Sequence, residues 1–313
     1  MFSKTKFHMI WLSLVGLLLS CGTYIGNPGE SDPEVLPAEV EQANNTDEAL
    51  KDKKLIIAVA DSAIDELSEV NILVTSIAVR ADGATEDDEG WIEMSLTQTS
   101  AINLLDYQGG DSLNLGFIDD LASGTYSEIR VVLDKSNPIS AVDTTGASVA
   151  IRAPSASSSG IKIKGAFTID GDQRKLVLDF DLRQSIRKTG QSYMFSPVIR
   201  LVDRAEDASI SGSAGDSDYV CLYPEGYADE IDENCTGSEG SSRVTDGTYK
   251  IGHIPPGNYF LVAFDDDEDI LRGEVFALAA DDNLVIDISE NGDADDGDDG
   301  DDDDDAEDDE EDD

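Results

Sequence analysis

The sequence predicts an all-β protein that folds as two antiparallel β-sandwich domains. Short apolar or alternating runs lie between clusters of Gly, Asp, Asn and Ser, no helical period is sustained, and no β-α-β alternation is present. The clearest run is 176–182, in which four apolar residues on one face alternate with Val177, Asp179 and Asp181 on the other. This pattern is typical of a half-buried antiparallel strand, so both aspartates are expected to face solvent.

The first domain is predicted over residues 54–204, with a brief helix around 62–67. Its strands are predicted at 55–60, 70–80, 92–96, 129–133, 149–152, 161–163, 167–169, 176–182 and 193–202. Six segments occur along it in the order 61–63 (DSA), 102–105 (INLL), 124–130 (GTYSEIR), 160–163 (GIKI), 178–182 (LDFDL) and 196–200 (SPVIR). Together they resemble the bacterial lipoprotein domain called domain of unknown function 4382. The resemblance implies a family without an assigned activity.

A second domain is predicted over residues 208–289. Its strands are predicted at 209–213, 219–222, 248–251, 258–264, 273–278 and 284–288. Pro256 presets a turn and Gly257 tolerates positive φ, so a tight reversal leads into the strand that follows. Segments 246–251 (DGTYKI) and 254–263 (IPPGNYFLVA) are similar to carboxypeptidase regulatory-like, transthyretin-like modules. This resemblance implies an immunoglobulin/transthyretin-like sandwich that acts in binding and carries no catalytic residues.

Residues 1–20 have the layout of a cleavable signal peptide, because Lys4 and Lys6 precede an apolar run too short to span a bilayer. Segment 18–21 (LLSC) resembles the lipobox of bacterial lipoproteins, which implies cleavage before Cys21 and acylation of that residue. Gly22 follows instead of the aspartate that retains such proteins at the inner membrane, which favours the outer membrane. Residues 21–53 are then an acylated, flexible linker. The alternative is a secreted protein with a chance cysteine.

The chain is strongly acidic, with 68 Asp and Glu against 21 Lys and Arg and a formal net charge of −47. Such a balance argues against nucleic acid and anionic lipid surfaces as partners, because these bind through Lys and Arg. Residues 293–313 hold 17 of the acids in 21 positions. Residues 290–313 are therefore predicted to be a disordered acidic tail.

Three cysteines are present, and one of them is assigned to the lipid. The other two, Cys221 and Cys235, form a candidate disulfide that closes a loop of about 15 residues, as expected in an oxidising compartment. Two free thiols or a metal pair are the alternatives. A redox role is not indicated, because the spacing differs from C-x-x-C.

Few residues suggest catalysis. His253 is the only histidine after residue 20, no G-x-S-x-G segment accompanies it, and its neighbourhood predicts a turn. Zinc-ligand spacing is absent. Carboxylates are too abundant for a pair to indicate a glycosidase. Trp91 opens an amphipathic strand, which favours packing over a role as a sugar platform.

The sequence offers one weak metal candidate. Asp265, Asp267 and Asp269 match the opening of a calcium loop, but Ile270 replaces the required glycine and Phe276 the bidentate acid. An EF-hand is therefore excluded. A looser Ca²⁺ site between strands and a charged hairpin tip stay open as alternatives, and no other cofactor is indicated.

The function predicted from these observations is that of a non-enzymatic cell-envelope lipoprotein. Its β-sandwich modules are expected to bind or adhere to a protein or carbohydrate ligand, while the lipid anchor is its link to the membrane. The first alternative is a hydrolase or enzyme accessory subunit that uses carboxylates on loops. The second is a surface protein that binds divalent cations.

Overall fold

Strands dominate the part of the chain that the structure describes. The computed structural model describes residues 45–62, 64–84, 90–154, 159–190, 192–265 and 270–288, all of which belong to one compact unit. Within these ranges the one α-helix is a single turn, Leu182–Ser185, and two 3-10 turns lie at Leu104–Asp106 and Arg204–Glu206. The all-β prediction is therefore confirmed.

The described residues form 24 strands. In chain order these are β1 (Leu55–Ser62), β2 (Leu67–Ile72), β3 (Val74–Ala81), β4 (Trp91–Glu93), β5 (Ser95–Leu96), β6 (Ile102–Asn103), β7 (Leu113–Ile118), β8 (Gly124–Leu133), β9 (Ile139–Asp143), β10 (Ser148–Val149), β11 (Ile151–Arg152), β12 (Ile161–Ile169), β13 (Arg174–Asp181), β14 (Ile186–Thr189), β15 (Ser192–Phe195), β16 (Ile199–Asp203), β17 (Ala208–Ser213), β18 (Tyr219–Pro224), β19 (Gly240–Arg243), β20 (Thr248–Ile254), β21 (Gly257–Phe264), β22 (Ile270–Arg272), β23 (Phe276–Leu278) and β24 (Asn283–Val285).

Residues 45–204, called the first part, contain four sheets. Their strand orders are β16-β13-β1-β7-β5, β10-β9-β2-β6, β12-β8-β3-β4 and β11-β15-β14. Side chains from all four sheets meet in one apolar core, which includes Ile57, Val79, Ile129, Phe180 and Phe195. Burial of such side chains is the main stabilising contribution to a β-sandwich.

Residues 208–288, called the second part, contain two sheets. One has the order β20-β17-β24, and the other has the order β19-β18-β21-β22, with β23 also paired to β21. A core that includes Ile210, Leu222 and Leu261 lies on one side of β18 and β21. A smaller cluster lies on the other side, around Tyr223 and Phe260.

The prediction of purely antiparallel sheets is wrong in three places. Strand β1 pairs in parallel with β13, β11 with β15, and β17 with β24. Strand β1 lies between β13 and β7, and residues 55–60 are buried on both faces. A continuous apolar run such as LIIAVA is typical of a strand covered on both faces, which is where parallel pairing occurs.

The helix expected around 62–67 is also wrong. Asp65 and Glu66 form a bend, and β2 begins at Leu67. The helical turn lies instead at 182–185, where the Asp181 carboxylate accepts a hydrogen bond of 2.9 Å from the backbone N–H of Gln184. An aspartate at this position satisfies an amide that the helical turn leaves without a partner.

Candidate functional site

Two aspartates of β13 occupy the boundary between the first and second parts. Asp179 is 2% and Asp181 is 1% exposed, so the prediction that they face solvent is wrong. The alternation of 176–182 is real, but the polar face is covered because β19 of the second part packs against β1. A strand can alternate in this way and still be buried on both faces when a second body of the chain covers it.

Arg200 of β16 holds one of these aspartates. Its guanidinium donates to the Asp179 carboxylate and lies 3.5 Å from the carboxylate of Glu239, which precedes β19. Burial by itself lowers the pKa of Arg200, but Asp179, Glu239 and Asp181 outweigh burial and raise it. The buried arginine is therefore held in its charged form by acids from both parts of the chain.

Gln184 connects the other aspartate to the second part. Its side-chain Nε2 donates to Asp181 at 2.6 Å, and its Oε1 accepts from the backbone N–H of Gly237 at 3.1 Å. Burial raises the pKa of Asp181, although the hydrogen bonds from Gln184 act in the opposite direction. We call the five residues Asp179, Asp181, Gln184, Arg200 and Glu239 the charged seam.

A groove runs beside the charged seam on both sides of Arg183. The guanidinium of Arg183 lies 3.8 Å from the ring centre of Tyr219 and pairs with Asp65, which Arg243 also contacts at 3.1 Å. Two depressions of about 400 Å³ each share Asp65, Tyr219 and Glu233. We call this surface the junction groove.

The aromatic ring in the junction groove is not available for stacking on a sugar. The Arg183 guanidinium lies over the Tyr219 ring, and the Phe264 ring stacks on it with 4.9 Å between the ring centres. Burial raises the pKa of the Tyr219 hydroxyl, so it stays protonated at neutral pH. The groove therefore presents mainly charged groups, of which Asp65, Arg183 and Arg243 are paired with one another.

His253 lies in a second buried polar cluster. Its Nδ1 is 3.1 Å from Oδ2 of Asp207 and its Nε2 is 3.4 Å from the backbone oxygen of Asp111, which belongs to the first part. Burial alone raises the pKa of Asp207, but the hydrogen bond and charge of His253 and the charge of Arg204 outweigh it, so the pKa lies below its usual value. The histidine links the two parts, because its ring contacts both.

A cavity of about 240 Å³ adjoins this histidine. Gly110 of the first part and Gly252 of the second form part of its wall, and a Cβ on Gly252 would lie 2.3 Å from the Cα of Gly110. Ser209, also in the wall, donates its hydroxyl hydrogen bond to Asn283 at 2.6 Å. The serine of this cavity wall therefore bonds to an amide and not to the imidazole.

The two internal cysteines are joined by a disulfide. The Cα atoms of Cys221 and Cys235 are 5.7 Å apart, within the range that the bond requires. The cross-linked segment and the residues after it supply Glu233, Gly237 and Glu239 to the first part. The disulfide thus holds the segment that contacts the charged seam.

Several predicted site residues lie outside the described ranges. Cys21, Asp267 and Asp269 are among them, and Asp265 is half-buried in the wall of the junction groove. Within the ranges that the structure describes, no three or more Asp, Glu, His or Cys side chains are placed to hold a metal ion. The same ranges contain no helix with the length and apolar character that a membrane span requires.

Sequence reasoning missed the residues that join the two parts. Gln184 and Arg183 lie in a helical turn that no periodicity signalled, and Arg200 was noted only as part of the 196–200 segment. Trp91 was expected to pack or line a rim. It is half-buried, and the guanidiniums of Arg80 and Arg130 lie 5.1 and 4.4 Å from its ring centre.

Within the described ranges the chain is an all-β protein in which buried charges such as Asp179 and Arg200 are paired with each other. Residues 54–197 match the family model described as "Domain of unknown function (DUF4382)", so the chain contains this domain. The first domain's family prediction is thereby confirmed. No curated protein matches the chain.

Several solved structures of bacterial proteins show weak similarity to the chain. The TIE protein of Bacillus anthracis is 9% identical, with 75% of this chain and 33% of that chain covered and a TM-score of 0.19. A variant of BcpA, the major pilin subunit of Bacillus cereus, is 10% identical, with coverages of 72% and 60% and a TM-score of 0.19. The minor pilin GBS52 of Streptococcus agalactiae is 10% identical, with coverages of 74% and 94% and a TM-score of 0.18. The chain thus spans a third of the first protein.

Proposed function

We propose that the chain is a non-enzymatic protein of the bacterial cell envelope, held by a lipid on Cys21, that displays one rigid β body for binding or adhesion. The observation that supports this proposal is that its buried ionisable groups are paired with one another. Asp179 pairs with Arg200, Asp207 with His253, and Glu128 with Arg80. Groups of these types serve as acids, bases and nucleophiles in enzymes, but here they hold strands and the two parts together.

A rigid body suits a protein that carries load or presents a surface. The charged seam, the His253 cluster and the disulfide each cross or brace the boundary between the parts. Motion between the parts would require separating buried charges, which costs several kcal/mol. The outward sheet faces are then the surfaces that remain for a ligand.

The experiment compares cells that carry the full-length chain with cells that lack it. We expect the cells that carry the chain to adhere more strongly to immobilised glycans or envelope proteins. Equal adhesion to every surface tested, together with hydrolysis of any of them by the purified full-length chain, would contradict the proposal in favour of the carboxylate-enzyme alternative.

The lipid anchor has its own test. Cys21→Ala is expected to move the protein from the membrane fraction to the soluble fraction after lysis, because one thioether-linked lipid and one amide-linked chain bury many methylene groups. Ser31→Ala is the matched control, since it changes a small polar residue of the predicted linker that is not proposed to carry lipid. Membrane association that survives Cys21→Ala would contradict the anchor.

A further inference from the structure

The acids of this chain are not spread evenly along it. Residues 144–169 and 182–202 together contain seven Lys and Arg and no Asp or Glu, in a protein with 68 acids in 313 residues. An even distribution would place about ten acids in 47 residues. The two segments therefore stand out as acid-free regions in a chain that otherwise repels anions.

The fold brings these two segments together in one sheet. Strand β11 belongs to the first segment, β14 and β15 belong to the second, and they pair in the order β11-β15-β14. In the register of this sheet, Arg152 lies beside Met194, and Met194 lies beside Arg187. Directly registered side chains point to the same face, so the two arginines flank the methionine at a Cα separation of about 10 Å.

The face that carries the two arginines is the outward one. Ile186, Tyr193 and Phe195 alternate with it and lie in the apolar core of the first part. Arg152 and Arg187 are exposed, and Met194 is half-buried between them. The same face carries the hydroxyl side chains of Thr189 and Ser192, because they lie two residues from Arg187 and Met194 on their strands.

Neither arginine is used inside the protein. Arg152 and Arg187 form no ion pair with any carboxylate that the structure describes, whereas Arg80, Arg174, Arg183 and Arg200 are all paired. Arg187 and Lys188 also line the junction groove, whose acids stand nearby. The acids that line the same depression are Asp65, Glu66 and Glu233; Asp65 is shared by Arg183 and Arg243, and none of the three forms an ion pair with Arg187.

We propose that this face, defined by Arg152, Arg187, Thr189, Ser192 and Met194, binds acidic polysaccharide through its carboxylates. The inference rests on the proposed binding function and names its ligand class. Guanidinium groups pair with carboxylates in a planar, two-point geometry, the hydroxyls bond to sugar hydroxyls, and the methionine contacts the apolar edge of a sugar ring. An open sheet face without a deep pocket suits a polymer that lies across it.

Charge complementarity selects this ligand over other polyanions. Nucleic acid and anionic membranes present a dense array of phosphates, which the overall charge of −47 repels. At physiological salt that repulsion is screened beyond about 8 Å, so a single narrow polymer chain that touches only this face can approach the two arginines, whereas a duplex or a membrane also faces the acidic surroundings.

The test measures binding of the full-length chain to polygalacturonate at 0.15 M salt. Neutral dextran, single-stranded DNA and anionic lipid vesicles serve as comparison ligands. Expected is binding to polygalacturonate alone, weakened at least tenfold by the double change Arg152→Gln and Arg187→Gln. The control is Lys51→Gln with Lys135→Gln, which removes the same charge from exposed positions outside the acid-free segments and leaves binding within twofold of the original.

The remaining outcomes overturn the proposal. If the chain did not bind polygalacturonate, the proposal would be wrong. Such a result would follow if acidic residues 293–313 of the same chain occupied the face. Equal binding to DNA or vesicles would make the face a general polyanion site. If the double variant lost no polygalacturonate binding or still supported cell adhesion to glycans, the ligand surface would lie elsewhere and the proposed function would stand without this inference.

Discussion

At the scale of single residues, burial decides what the charged side chains of this protein do. Asp179 and Asp181 have the same sequence context as solvent-facing strand residues, yet each is almost fully buried and bonded to a fixed partner. A buried carboxylate that loses its partner retains the cost of desolvation without the attraction that offsets it. The effects of substitution are therefore larger than those at exposed ion pairs.

The change Arg200→Met tests the charged seam. Because it leaves Asp179 buried and unpaired, we expect the free energy of unfolding to fall by about 3 kcal/mol, measured by urea denaturation. Lys51→Met is the control, since its ion pair with Glu48 is exposed, and a change within about 0.5 kcal/mol is expected. Equal effects of the two changes would argue that the seam contributes little.

The pKa of Asp207 gives a prediction for pH. Its pKa in the folded protein is lowered, so its contribution to stability is present above the unfolded pKa and is lost as pH falls through the lower folded value. Asp207→Asn is therefore expected to cost more stability at pH 6 than at pH 3, when urea denaturation is measured at both. A cost that is independent of pH would contradict the ionic role of Asp207.

At the scale of elements, the segment between β18 and β19 is the piece that joins the two parts. It contains no regular strand of its own, and its backbone contacts Arg183 and Gln184 of the helical turn. Cys235 adopts positive φ at its end, where the disulfide returns the chain to β18. Local order in this segment thus comes from the cross-link and from turn hydrogen bonds such as those from Thr236 to the Asp232 carboxylate, and not from a hydrogen-bonded ladder.

Removal of the disulfide is expected to loosen this segment first. Cys221→Ser with Cys235→Ser should lower the free energy of unfolding by about 3 kcal/mol, because the loop-closure constraint on the unfolded chain is lost. Hydrogen exchange of residues 225–239 should accelerate more than that of β1 or β13. Uniform acceleration along the chain would indicate that the disulfide does not act through this segment.

At the scale of the whole molecule, separate apolar cores are joined by polar contacts. The first part has one large core and one small cluster around Val177, the second part has two cores, and the charged seam and the His253 cluster lie between the parts. Paired buried charges contribute little net stability but penalise separation strongly. The two parts are thus coupled even though their cores are distinct.

Coupling predicts cooperative unfolding of the two parts. When hydrogen exchange is measured at increasing urea concentration, peptides from β1 and from β21 should lose protection at the same urea midpoint. In the Arg200→Met variant, the urea midpoints of the two peptides should differ. Two midpoints in the unaltered chain would show that the parts unfold independently and that the seam does not couple them.

Much of the local structure was predictable from the sequence. The strands around 55–60, 129–133, 176–182 and 258–264 were found, because alternation or a continuous apolar run records which faces of a strand are buried. The strands at 113–118 and 139–143 were missed, since their short runs include glycine, serine and polar residues without clear alternation. The cysteine count pointed to the disulfide that the structure contains.

By itself the sequence determined the all-β class, the strong negative charge and the match of residues 54–197 to a known domain family. Only the tertiary structure decided which strands pair in parallel, that Asp179 and Asp181 are buried, and that the two acid-free segments meet in one sheet. The physical reason is the separation along the chain of the residues that make each contact. Side-chain alternation reports the environment of one strand, whereas burial of its second face and pairing with distant strands depend on residues more than a hundred positions away.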